Sequence, residues 1–83
     1  MPLTELKEAK KKTIGTKQTL KAIEKGIAKK VYIAKDAEAH ITAPLRQKCQ
    51  ERDIVVIDVE TMKELGAICG IQVGAASAAV VKG

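Results

Sequence analysis

Two β-branched runs, KVYIA at residues 30–34 and DIVVID at residues 53–58, stand apart with the segment of residues 36–52 between them. Short, near-continuous hydrophobic runs of this kind are typical of strands covered on both faces. The intervening segment is long enough for a crossover helix, so the two strands are predicted to run parallel. Thr42 ahead of Pro44 predicts a restart within that helix, because proline is tolerated only near a first turn.

The same alternation continues outward. In LTELKEAKKK, Leu3, Leu6 and Ala9 recur at helical spacing, and Glu5 and Glu8 precede the lysines as the helix dipole favours. KTIG reads as a fragment of strand. Leu20, Ile23 and Ile27 form an apolar stripe on a second helix, with Gly26 as a left-handed stop. Met62, Leu65, Ile68 and Cys69 mark a further helix ending at Gly70, and SAAVVK closes the chain as a strand. Alternating strands and helices predict an α/β sandwich with helices on both faces of a small sheet, a single domain over residues 1–83.

No apolar run approaches the roughly 18–20 residues of a membrane span. MPLTELKEAKKK offers no apolar core for a signal peptide, so a soluble, cytoplasmic protein is expected. Cys49 and Cys69 form no CxxC pair and read as small packing residues. His40 is the only histidine, too few soft ligands for a closed zinc site, and neither a metal nor a cofactor is expected. Asp36, Asp58 and Glu60 form no recognisable acid–base pair, and no Ser or Cys lies in a nucleophile motif. The region from Gly70 to Gly74 lacks GxGxxG and follows a helix, the wrong order for dinucleotide binding. An enzyme is therefore not expected.

Net charge is +5, unevenly spread. Residues 1–35 hold ten lysines against three acids, +7, whereas residues 36–83 hold five basic and seven acidic groups, −2. Such a lopsided chain favours an anionic partner, nucleic acid ahead of membrane. Tyr32 is the sole aromatic and falls in a predicted central strand. Binders that stack successive single-stranded bases use several aromatic platforms, so recognition here must use helix ends, lysines, amides and small apolar groups.

IGTKQTLKAIEKG supplies these. Gly15 permits close approach to the backbone, and the first-turn N–H groups of Thr16 to Gln18 suit a phosphate. Lys17, Gln18 and Lys21 leave one face of the first turn and a half, where Lys and Gln can address base edges. Lys12, Lys25 and Lys29 would position phosphates. A regular RNA helix hides its base edges in a deep, narrow groove, so the fitting target is a bent or bulged duplex. Spacing alone also fits a plain amphipathic helix whose lysines are solvated.

GTKQTLK at residues 15–21, together with ELGAICGIQVGAAS at residues 64–77, resembles the kink-turn-binding superfamily of ribosomal proteins, the L7Ae and L30e type, and most of all its small bacterial members. The resemblance spans nearly the whole chain. It implies a three-layer α-β-α sandwich around a four-stranded mixed sheet, no catalysis, a monomer, and binding of kink-turn RNA, in which a bulge beside sheared G·A pairs bends a duplex. The partner would be ribosomal RNA or a regulatory mRNA element. By resemblance, Gly15, Lys17, Gln18 and Lys21 meet the G·A pairs, with Thr16 between them and Lys25 one turn on. Ile71, Gln72 and Val73 would lie against the bulged nucleotides. Small apolar groups flanked by Gly70 and Gly74 can rest on unstacked bases, although the loop also reads as an ordinary helix-to-strand connection. Archaeal members carry Asn-Glu where this chain has Lys17-Gln18, a pair closer to the L30e and bacterial pattern. An amide accepts from guanine more weakly than a carboxylate does. A different class of function, a protein-interaction or scaffold module presenting the same basic face to an acidic protein, also fits the charge.

Overall fold

The computed structural model describes residues 2–82, with side chains from Glu5 onward, so the expected place of Leu3 in the first apolar stripe lies outside the described side chains. In chain order the elements are α1 (Pro2–Glu8), β1 (Lys12–Ile14), α2 (Thr16–Glu24), β2 (Ala28–Ala34), α3 (Ala39–Glu51), β3 (Val55–Val59), α4 (Met62–Cys69) and β4 (Ser77–Val81). The strands form one mixed sheet in the order β1-β4-β2-β3. β4 runs antiparallel to both β1 and β2, and β2 and β3 are parallel, as the crossover predicts.

Strand alternation builds the two outer layers. Tyr32 and Ala34 of β2, with Ala78 and Val80 of β4, join Leu6, Leu65 and Cys69 beneath α1 and α4. The neighbouring positions Val31, Ile33 and Ala79 point the other way and join Ala22, Ile23, Leu45 and Cys49 beneath α2 and α3. A period of two along each central strand thus feeds two cores, giving the α-β-α sandwich. Each thiol sits in a different core, and burial pushes both Cys49 and Cys69 above the ordinary thiol value, which keeps them un-ionised and inert.

Three expectations need correction. β3 is covered less fully than a central strand: Ile57 and Val59 pack on one core and Val56 on the other, but the strand lies at the edge of the sheet and Val55 is 55% exposed. α3 does not restart at Thr42 but runs unbroken from Ala39 with Pro44 inside its second turn. Pro44 is exposed, so the carbonyl it leaves without an N–H partner has access to water. The stripe of α2 is rotated: Thr19, Ala22 and Ile23 are buried, Leu20 is half-buried, and Ile27 lies past the helix end, 36% exposed. Ala22 and Ile23 pack in one core with Ala79 of β4.

Candidate nucleic-acid interface

The start of α2 is set by Gly15, whose φ of 97° and ψ of 156° lie in a region that essentially only glycine adopts. No side chain caps this helix. Thr19 N–H donates to Gly15 O at 3.0 Å as the first helical bond, which leaves the N–H groups of Thr16, Lys17 and Gln18 as first-turn donors directed out of the helix end. A Cβ placed on Gly15 would meet nothing within 4 Å, so the space beside Gly15 is open.

The two other helices that begin at this end of the sheet differ. At α4, Thr61 Oγ1 accepts from Glu64 N–H at 3.0 Å and Asp36 Oδ1 accepts from Met62 N–H at 2.7 Å. Its donors are partly consumed internally. At α3 the N-cap is Glu38, an acid that disfavours an incoming anion. The start of α2 is therefore the one of the three suited to a phosphate, with Lys17 and Lys21 exposed beside it.

Buried and half-buried hydroxyls hold that helix start on the sheet. Thr13 and Thr19 pair through their Oγ1 atoms at 3.0 Å, and Ser77 Oγ donates to Thr16 Oγ1 at 3.5 Å. Gly15 N–H donates to Ser77 O at 2.8 Å. This last bond joins the α2 start to the first residue of β4, directly after the loop of residues 70–76. At most about 14 Å of extended backbone separates Val73 from Ser77.

The loop doubles back along α4. Ile71 N–H donates to Gly66 O at 3.0 Å, and Ala75 N–H donates to Met62 O at 3.0 Å, so the chain returns from the end of α4 towards its beginning. Val73 O comes so near Gly66 that a Cβ there would lie 2.1 Å from it. Gly66 is thus required by contact, and Gly70 ends α4 in the left-handed conformation with φ 81°.

The anticipated residues do not all fall in one place. Gly15, Thr16, Lys17, Gln18 and Lys21 share the α2 tip, and Gln72 and Val73 are exposed on the adjoining loop, Val73 by 71%. Ile71 is half-buried and packs against the α1/α4 core, so the loop's main offering to solvent is Gln72 and Val73. Lys25 caps the far end of α2, in line with the exposed Lys17 and Lys21. Lys29 lies in the first residues of β2 at the opposite end of the sheet, where Ala28 pairs with Val81 rather than with Ser77. It lines a groove there with Glu5, Glu8, Lys10 and Lys11. Lys12 is half-buried, its Nζ reaching Leu6 O and Lys7 O at 3.4 and 3.5 Å over the end of α1. Thr19, Ser77 and Asp36 were missed because a buried hydroxyl or a surface carboxylate has no signature until its partner is placed. Tyr32 is fully buried, burial raising its phenol above the ordinary value, so the surface offers no aromatic platform. His40 is exposed beside Glu38, and no group of three or more potential metal ligands occurs among the described residues. Among those residues, no helix is long and apolar enough to cross a membrane.

The chain is thus a mixed four-stranded sheet between two helical layers, with an uncapped, lysine-flanked helix start beside the loop of residues 70–76. Comparison with known proteins gives the family: the chain belongs to the Ribosomal protein L7Ae/L30e/S12e/Gadd45 family, whose pattern matches residues 2–83. It is 51% identical over 73 residues to an RNA-binding protein of Caldanaerobacter subterraneus, covering 88% of this chain and 89% of that one. It is 41% identical over 75 residues to RNA-binding protein YbxF of Geobacillus stearothermophilus, covering 90% and 92%. Among solved structures, a 15.5 kD RNA-binding protein of Giardia lamblia superposes with a TM-score of 0.87 at 25% identity, over 99% of this chain and 72% of that one.

Proposed function

We propose that this protein recognises kink-turn RNA, with the α2 tip at the sheared G·A pairs and the 70–76 loop at the bulge. The observation that carries the reading is the Gly15 N–H to Ser77 O bond, which makes helix start and loop neighbours. Gln18 and Lys21 supply base-edge contacts, and the open first-turn amides with Lys17 take backbone phosphate. Val73, exposed beside Gln72, gives an unstacked base an apolar surface that the missing aromatics would otherwise supply. Binding only the bent form shifts a flexible RNA towards it by mass action. The proposed protein acts without catalysis, as a cytoplasmic monomer and a single domain.

Titrating the protein against a kink-turn and against the same duplex with its G·A pairs replaced by Watson–Crick pairs tests this. Tighter binding to the kink-turn is expected. Equal affinity for the two RNAs contradicts the reading.

A further inference from the structure

We infer that Asp36 is a positioning residue for the 70–76 loop, acting through Met62, an inference that rests on the kink-turn reading for its functional half. Asp36 lies just after β2, where Lys35 N–H donates to Val59 O at 2.7 Å and fixes the turn against β3. From there its carboxylate accepts Met62 N–H at 2.7 Å, a charge-assisted bond at the start of α4. Met62 is the residue on which the loop closes. Its carbonyl accepts Ala75 N–H at 3.0 Å, and its Cβ would lie 3.1 Å from a Cβ built on Gly74.

The loop therefore has two anchors on α4. Gly66 supplies the first by admitting Val73 O, and Met62 supplies the second. Gln72 and Val73 lie at and between these points, with both side chains exposed. Whatever loosens the first turn of α4 loosens the second anchor and lets the loop depart from the α2 tip. Thr61 caps that turn from within, whereas Asp36 ties it to the sheet from outside. A carboxylate that reaches the loop through Met62 thus governs where the apolar surface stands.

The test uses the full chain as wild type, Asp36→Ala and Asp36→Asn. Amide hydrogen exchange is read at Met62 and Ala75 in RNA-free protein, with Val31 in the central strand as the internal reference. Affinity is then read for the kink-turn. Loss of one such bond should speed exchange at Ala75 and weaken the kink-turn complex by about three- to tenfold in Asp36→Ala. Val31 should be unchanged, and Asp36→Asn, which keeps an acceptor oxygen, should recover much of both. Unchanged protection at Ala75 in Asp36→Ala overturns the anchor. Faster exchange with full RNA affinity overturns its role in binding. If the wild type shows no preference for the kink-turn, the functional reading fails, while Ala75 still decides the anchor. Should Asp36→Ala fail to fold, Gly74→Ala crowds Met62 from the loop side and is expected to reproduce the same pattern; full protection at Ala75 there counts against the inference.

Discussion

Gly15 and Ser77 carry the geometry at the scale of single residues. Because Gly15 occupies a region closed to side-chain-bearing residues, Gly15→Ala should cost about 1–3 kcal/mol through strain alone, read as a lower urea midpoint. No clash contributes, since the site is open. Gln18 and Lys21 are exposed, so their replacement by alanine should leave stability within about 0.5 kcal/mol while removing about 1–3 kcal/mol each from kink-turn binding, measured by titration. The glycine, the lysines and the amide were legible in GTKQTLK because their chemistry is local. Thr19 was not: its hydroxyl is satisfied by Thr13 from another element, and only the fold reveals that a polar residue belongs on the buried face.

Between elements, Glu5 of α1 is paired with Lys30 of β2, tying the first helix to the sheet. The hydrogen bond from Lys30 holds the Glu5 carboxyl below its ordinary value. A lowered folded-state value means that the pair's contribution is complete above the ordinary glutamate value of about 4.3 and is lost as pH falls through the lowered one. Thermal unfolding from neutral to acid pH should therefore show a decline in this window that is shallower in Glu5→Gln. The crossover between KVYIA and DIVVID was readable because parallel strands demand a long connection. The edge position of β3 was not, since a central strand and an apolar edge strand share one hydrophobic run. Pro44 misled for a related reason: the general cost of proline inside a helix falls when the orphaned carbonyl faces water.

For the molecule as a whole, the +7 of residues 1–35 is spread over two ends of the sheet, and the sequence could not divide it. Lys17 and Lys21 stand at the α2 tip, while Lys29 lies with Lys10 and Lys11 at the far groove. Lys17→Ala should reduce the salt slope of kink-turn binding by about one unit, and Lys29→Ala should leave it unchanged.

The claim on which the rest depends is that the α2 tip and the 70–76 loop receive one RNA together. Amide chemical-shift changes across the whole chain on adding kink-turn RNA measure this directly. The largest changes are expected at Gly15 to Gln18 and, at the same RNA ratio, at Gln72 to Gly74. Changes confined to one of these segments, or centred on Lys10, Lys11 and Lys29, would contradict it.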